Sequence, residues 1–281
     1  MSAEDLTIKE HLARARISIP SSAAPGVELF TYVSAACGAS SFSTGLAKFK
    51  PRAILPYHQH SCSEAVTIVD GTAKILAEGR SYLLSRRDAV HFPAGTAHQV
   101  ENADETQELV AHWTFATNAP TRELVADSFL PLDRGVTAPA PGDPEHIIRY
   151  SEGPIYELST NAFFLDLFAR RYGSSGICGG HGRFLPGASL PCHTHDYDES
   201  ITIVKGAAIC LVQGRRYQLS GYDCVFIPRG LPHRFLNLSD EEMEMVWVYA
   251  GSEPDRQIVN AGYCSGDLAW PQASTPDRHQ R

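Results

Sequence analysis

Two segments of the sequence, 135 residues apart, repeat one pattern of side chains that could do chemistry: His-x-His, a glutamate four residues later, and a third histidine further on. The eight residues are His58, His60, Glu64 and His98 in the first copy and His193, His195, Glu199 and His233 in the second. Because side chains alternate across a β-strand, the two histidines of each His-x-His project from one face. Three imidazoles and one carboxylate suit a divalent first-row metal ion and leave positions open for water or substrate. We therefore predict up to two metal ions per chain.

The donor set does not choose between metals. Iron and manganese are the leading expectations, and nickel and zinc satisfy the same ligands. Three neutral imidazoles and one carboxylate around a divalent ion leave one net positive charge. That charge favours a small anionic substrate, such as a hydroxy acid, an enolate or a carboxylate.

The repeat extends well beyond these ligands. Shifting the sequence by 135 residues without gaps superposes many turn and strand residues. Examples are Gly45/Gly180, Phe49/Phe184, Pro51/Pro186, Gly71/Gly206, Pro93/Pro228, Gly95/Gly230 and Asn102/Asn237. So long a register indicates that the chain is a duplication of one domain. The same register sets His112 against Trp247 and Thr114 against Tyr249, which predicts a polar first pocket and an aromatic second one, with core packing as the alternative.

Both copies resemble the two signature motifs of the cupin superfamily. The first motif reads His58-x-His60-x3-Glu64-x6-Gly71 and the second reads Pro93-x-Gly95-x2-His98-x3-Asn102, with full counterparts 135 residues later. Gly221 opens the second motif of the C-terminal half, whereas Arg86 stands there in the N-terminal half. The resemblance covers roughly residues 38–115 and 173–250. It implies a bicupin, an all-β chain of two antiparallel jelly-roll barrels, also described as double-stranded β-helices.

Strand and turn signals divide the chain into five parts. We predict an N-terminal arm (1–25), a cupin barrel (26–135), a linker (136–150), a second cupin barrel (151–265) and a C-terminal tail (266–281). Short apolar runs separated by Asp70-Gly71, Glu78-Gly79 and Gln213-Gly214 are typical of strands joined by tight turns. Little helix is expected.

Composition narrows the partners and the location. The chain has 281 residues, a formal net charge of −8 and seven cysteines without a CxxC pair. The absence of a basic stripe argues against nucleic acid and against an anionic membrane surface. With no apolar signal segment and no 18-residue apolar run, a cytoplasmic protein without a disulfide framework is predicted.

Residues that differ between the halves are the candidates for catalysis. Arg183, His181 and Asp198 stand in the second half where the first has Lys48, Leu46 and Ser63. An arginine could hold a substrate carboxylate, and a histidine or aspartate could move a proton, although solvated charge or packing explains the same residues. These differences predict that the C-terminal barrel carries the reaction.

The cupin resemblance implies several activities. The leading hypothesis is an oxygenase of the dioxygenase type, acting on a small enolisable, phenolic or carboxylate substrate. The alternatives are a redox-neutral isomerase, decarboxylase or hydrolase of a small acid, and a non-catalytic cupin that binds a small molecule. Oxalate decarboxylase-like bicupins carry a substrate arginine three residues before the His-x-His pair, where this chain has Leu55 and Leu190. A homodimer is compatible with such barrels.

Overall fold

The computed structural model describes residues 9–271, and these residues are built almost entirely from β-strands. The strands of the first half are β1 (His11–Ala13), β2 (Ser21–Ala24), β3 (Val27–Val33), β4 (Ser43–Phe49), β5 (Ile54–Gln59), β6 (Glu64–Asp70), β7 (Thr72–Ala77), β8 (Arg80–Ser85), β9 (Ala89–Phe92), β10 (His98–Asn102), β11 (Leu109–Phe115), β12 (Glu123–Leu124) and β13 (Leu132–Gly135). Residues 1–8 of the predicted arm and 272–281 of the predicted tail lie outside the described residues.

The second half repeats this series of strands. They are β14 (His146–Ile148), β15 (Tyr156–Ser159), β16 (Ala162–Phe168), β17 (Cys178–Phe184), β18 (His193–Thr194), β19 (Glu199–Lys205), β20 (Ala207–Val212), β21 (Arg215–Ser220), β22 (Cys224–Ile227), β23 (His233–Leu236), β24 (Met243–Tyr249) and β25 (Gln257–Ile258). Helix is confined to α1 (Ala261–Ser265) and to 3₁₀ turns at Ala15–Ile17, Ala35–Cys37 and Arg170–Tyr172 within the described part of the chain.

Each half folds into a pair of sheets. The first pair has the strand orders β14-β9-β6-β11-β4-β3-β2 and β12-β5-β10-β7-β8-β13, and the second has β1-β22-β19-β24-β17-β16-β15 and β21-β20-β23-β18-β25. Neighbouring strands are antiparallel except β13, which runs parallel to β8. The predicted fold class, a duplicated antiparallel jelly roll, is confirmed. At the Glu78-Gly79 turn both residues have positive φ, as a tight hairpin of type I′ requires.

Strand alternation divides the buried side chains into three clusters. One fills each barrel, and a third lies between the barrels. On β11, for example, Trp113 and Phe115 belong to the interior of the first barrel, whereas Val110 belongs to the cluster between the barrels. Side chains on the outer face of a strand are therefore also buried wherever the two barrels meet.

The barrels exchange their first strands. Strand β1, from the predicted arm, pairs with β22 of the second barrel, and β14, from the predicted linker, pairs with β9 of the first. Glu145, which precedes β14, accepts hydrogen bonds from Arg80 (both 2.8 Å) and from the Tyr82 hydroxyl (2.6 Å). Glu10 makes the equivalent contacts with Arg215 and Tyr217. Each barrel is thus completed by a segment that precedes the other barrel in the chain, and the domain boundaries given above stay predictions.

The ungapped register fails in the last shared strand. In the first barrel Trp113 pairs with Gly45, and in the second Trp247 pairs with Gly180, so the two tryptophans are equivalent. The loop before β24 is one residue shorter than the loop before β11. The predicted match of His112 with Trp247 was therefore wrong, and both barrel interiors carry a tryptophan followed two residues later by an aromatic ring.

Cysteine pairing also differs from the expectation. Cys192 and Cys264 form a disulfide that ties α1 to the start of β18. The two residues lie 72 positions apart, and neither the even spacing of a framework nor a CxxC motif signals the pair. No helix within residues 9–271 is long and apolar enough to cross a membrane, and the cytoplasmic location stays a prediction.

Candidate metal centres

The eight predicted ligands come together as two buried groups of four. In each group the ligand atoms of three histidines and one glutamate lie within 4.8 Å of one another. The first group is His58, His60, Glu64 and His98, and the second is His193, His195, Glu199 and His233. Strand β5 ends beside the start of β6 and pairs with β10, so the pleat and one turn bring all four side chains to the same end of the barrel.

Backbone carbonyls fix the orientation of every ligand histidine. In the first group Nδ1 of His58 donates to the Pro56 carbonyl (2.7 Å), and Nδ1 of His98 donates to the Thr96 carbonyl (2.9 Å). Nδ1 of His60 donates to the carbonyl of Thr121 (2.5 Å), which lies in the segment that returns to pair with β5. With the proton held on Nδ1, each Nε2 keeps a free lone pair directed at the centre, the arrangement that orients metal-bound histidines.

The second group is held in the same way. Nδ1 of His193 lies 2.8 Å from the Pro191 carbonyl, and Nδ1 of His233 lies 2.9 Å from the Leu231 carbonyl. Nδ1 of His195 donates to the carbonyl of Asp255 (2.5 Å). Thr121 and Asp255 were missed in the sequence because a backbone carbonyl leaves no mark on residue type.

The atoms directed at each centre have no hydrogen-bond partner of their own. In the described chain these buried, unpartnered atoms include Nε2 of His60, His98, His195 and His233 and Oε2 of Glu64 and Glu199. Buried polar atoms are rarely left in this way without a ligand to satisfy them. The donor set and its orientation fit a divalent transition metal ion, and the prediction of up to two such ions per chain is confirmed.

Protonation states agree with metal binding. Burial, with the neighbouring His98, lowers the pKa of His58 to about 3, so its imidazole is neutral at ordinary pH. Burial alone would raise the pKa of Glu64, but the ligand histidines, His98 first among them, bring it down to about 2. The same opposition lowers the pKa of Glu199, where His195 contributes most. Each site therefore presents neutral imidazoles and an ionised carboxylate.

A cavity of about 280 Å³ opens onto the first group at His58, His60 and Glu64. Its walls are mainly apolar and include Leu29, Ala47, Phe49, Leu55, Val66, Val100, Ala111, Trp113 and Phe115. Its exposed end is lined by Ser21, Ser22, Thr121 and Arg122. Arg122 is tied to this opening because its Nη2 donates to the Ala23 carbonyl (2.9 Å).

Larger side chains fill the corresponding interior of the second barrel. Phe164, Phe235 and Met245, all buried, stand where the first barrel has Leu29, Val100 and Ala111. A Cβ placed on Gly182, the counterpart of Ala47, would meet Met245 at 3.0 Å and Phe164 at 3.1 Å. These two side chains therefore pack directly over the strand that lines the cavity in the first barrel.

His181 lies away from both metal groups. On β17 the interior is reached by Cys178 and Phe184, so alternation directs His181 outward, against the first barrel. Its Nε2 is 3.0 Å from Oε2 of Glu244, which also binds the guanidinium groups of Arg86 and Arg87. The side chain takes part in the contact between the barrels, and this placement does not support the predicted catalytic role.

Arg183 and Asp198 are also engaged elsewhere. Arg183 donates to Oε2 of Glu242 (3.1 Å) on the outside of the barrel. Asp198 accepts hydrogen bonds from the backbone N–H (3.1 Å) and hydroxyl (2.8 Å) of Ser40 and from the N–H of Arg229 (2.9 Å). Both side chains hold loops or strand edges in place, so the features that favoured the C-terminal barrel do not face its metal group.

The fold and the two donor sets define a bicupin. The sequence matches the profile of the cupin domain family over residues 45–115 and again over 180–249, about half of the chain, and the protein belongs to that family. None of the curated proteins matches the sequence.

Solved structures of oxalate decarboxylases share this architecture. The enzyme from Lactobacillus farciminis, in a formate complex, is 17% identical, with a TM-score of 0.73 over 91% of this chain and 90% of that one. Oxalate decarboxylase from Bacillus subtilis at pH 4.6 is 15% identical, with a TM-score of 0.70 over 88% of this chain and 78% of that one. Another structure of the Bacillus subtilis enzyme, 15% identical with a TM-score of 0.70 over 88% of this chain and 79% of that one, is described through its Mn(II) centres. At this identity the likeness concerns the fold.

Proposed function

We propose that this chain is a metal-dependent enzyme that acts on a small carboxylic acid at its N-terminal centre, by redox-neutral carbon–carbon cleavage of the decarboxylase type. The observation that carries the proposal is the cavity of about 280 Å³ that opens onto His58, His60 and Glu64. A concave, mostly apolar pocket with a few converging polar groups is the usual form of a small-molecule site. The similar structures, described as oxalate decarboxylases, support a carboxylate as the reacting group.

The charges of the site favour an anion. A divalent ion bound by three neutral imidazoles and one carboxylate supplies a Lewis acid with one net positive charge, which can orient a carboxylate. The Thr121 carbonyl keeps His60 in the tautomer whose Nε2 faces the centre. Arg122 places a second positive charge at the opening, where it attracts an anion before the substrate enters.

The reaction needs no electron acceptor. The bond between the carboxyl carbon and its neighbour breaks, carbon dioxide leaves, and the electron pair stays on the neighbouring carbon, which then takes a proton. The apolar wall, with Val66, Val100 and Trp113, shields that carbon from bulk water, and the exposed end of the cavity supplies the proton from solvent.

Oxalate itself is not the proposed substrate. Leu55 lines the cavity at the position where the cupin resemblance implies a substrate arginine in oxalate-cleaving bicupins. A second carboxylate directed at Leu55 would lose its hydration without gaining a charged partner. The reacting acid therefore needs an apolar group on that side.

The test compares the two centres on protein loaded with Mn(II) or Fe(II). A panel of small carboxylic acids is assayed for carbon dioxide release and for oxygen uptake, with metal content measured on the same samples. We expect His58→Ala to abolish carbon dioxide release, and His193→Ala to retain it together with the first metal ion. This is the reverse of the expectation from sequence.

Three results would contradict the proposal. Activity that survives His58→Ala and disappears with His193→Ala would place the chemistry in the second barrel. Oxygen uptake coupled to turnover would support the oxygenase instead. Tight binding of an acid without any turnover would support a non-catalytic cupin.

A further inference from the structure

The duplication provides an internal comparison for the cavity. The two barrels share their strand pairing, their donor set and an inward tryptophan. They differ in the size of the side chains at three interior positions, where leucine, valine and alanine in the first barrel face phenylalanine, phenylalanine and methionine in the second. Since interiors pack to high density, a space left open in one copy and filled in the other follows from these side chains.

From this comparison we infer that Leu29, Val100 and Ala111 set the substrate of the N-terminal centre, and that this substrate is a monocarboxylate with an apolar ring or branched body about the size of benzoate. The inference rests on the proposed function for the reaction, but it concerns what the cavity binds. It assigns the carboxylate to the end formed by His58 and Glu64 and the apolar body to the wall.

The size follows from the volume. At about 30 Å³ for each water-sized group, a cavity of about 280 Å³ holds roughly nine such groups. Benzoate has about that many non-hydrogen atoms, whereas oxalate and acetate leave much of the space to water or empty. Apolar wall that remains in contact with a few trapped waters contributes little to binding, so the smaller acids gain less from entering.

The chemistry of the wall limits where the polar group can lie. Val66, Val100 and Ala111 present only methyl and methylene groups, and Leu55 adds a further apolar surface beside the ligand strand. A second charged group on the body would be buried there without a partner. Hydroxyl groups are available only toward the exposed end, at Ser21 and its neighbours, so a neutral polar substituent is accepted at the end of the body far from the metal ion.

The experiment measures binding rather than turnover. Protein loaded with Zn(II), which has no redox chemistry, is titrated calorimetrically with benzoate, acetate and oxalate. We expect benzoate to bind about tenfold tighter than either small acid or better, because a well-filled apolar pocket discriminates by roughly that factor for each buried group.

Three variants install the second barrel's side chains in the first: Leu29→Phe, Val100→Phe and Ala111→Met. Each should weaken benzoate at least about tenfold, leave the affinity for acetate within about twofold, and retain two metal ions per chain. Val136→Phe adds the same bulk as Val100→Phe at an exposed position and should change neither affinity. Metal content and thermal unfolding of each variant show that the barrel is intact, and three independent positions keep the test decisive if one variant fails to fold.

The outcomes separate this inference from the proposed function. Benzoate binding that is no tighter than acetate binding, or that is unchanged in the folded filling variants, overturns the inference even if a small acid such as oxalate is turned over with dependence on His58. Cavity-dependent benzoate binding supports the inference, and it still stands if no acid of this class is converted and the proposed decarboxylation fails.

Discussion

Replacing His112 by valine should remove part of the acid sensitivity of the fold. His112 lies between the barrels, with Nε2 2.9 Å from Oγ1 of Thr44 and 3.2 Å from Oγ1 of Thr202. The equivalent position of the second barrel holds Val246, so valine suits this outward face. Burial lowers the pKa of His112 to about 3, whereas a histidine in an unfolded chain titrates near pH 6.5.

The sign and the size follow from proton linkage. Between pH 6.5 and about 3 the unfolded chain binds a proton at this residue and the folded protein does not, so stability is lost as the pH falls. At pH 5 the loss from His112 is about 2 kcal/mol, since each pKa unit corresponds to about 1.4 kcal/mol. At pH 7.5 the valine variant gains nothing from this effect and loses the hydrogen bonds to the threonines.

Urea denaturation of metal-free protein between pH 4.5 and 7.5 tests this reasoning. The difference in free energy of unfolding between the variant and the parent should shift by about 2 kcal/mol in favour of the variant from pH 7.5 to pH 5. Thr202→Val is the control, because it removes a hydrogen-bond partner and keeps the histidine, so its stability curve should run parallel to the parent's. If the His112→Val curve is also parallel to the parent's, His112 is not buried as a neutral base and the argument fails.

Three further predictions concern the arms, the disulfide and the metal ions. Glu145→Ala should lower the free energy of unfolding by about 3 kcal/mol and Glu10→Ala by less, because the arginine partner of Glu145 is 14% exposed and that of Glu10 is 36% exposed; equal losses in urea denaturation would contradict the comparison. Cys264→Ser opens a 72-residue loop and should lower stability by up to about 4 kcal/mol, seen as a lower melting temperature that disappears when both proteins are measured in reductant. Glu64→Gln and Glu199→Gln should each remove about one metal ion per chain by elemental analysis, and unchanged metal content in both would exclude the carboxylates as ligands.

The metal ligands could be predicted from the sequence because their spacing encodes their geometry. His-x-His specifies one face of a strand, and a second copy at the same spacing makes a chance match improbable. The strands near the ligands followed from the same regularity: the predicted 72–77 and 109–115 are observed as Thr72–Ala77 and Leu109–Phe115. Features that repeat or alternate locally can therefore be predicted from residue types and their spacing.

The catalytic candidates could not be predicted in this way, for two physical reasons. Alternation on β17 does direct His181 away from the interior, but the sequence does not indicate that this outer face is covered by the other barrel. The one-residue shorter loop before β24 then shifted Trp247 into a false register and made the pockets look different in kind. Burial between barrels and loop length depend on the whole fold, so residue type alone misassigned them.

The exchanged strands and the filled second barrel bear on one another. Because β1 completes the second barrel and β14 completes the first, neither barrel can form its full sheet without the segment that precedes the other. The second donor set remains fully buried although Met245 and Phe164 occupy the space above it, so a metal ion there satisfies Nε2 of His233 and its neighbours whether or not a substrate can enter. A metal ion that binds only the folded state stabilises it. The same four ligands can therefore serve two ends in one chain, with the interior side chains of each barrel deciding between an accessible centre and a structural one.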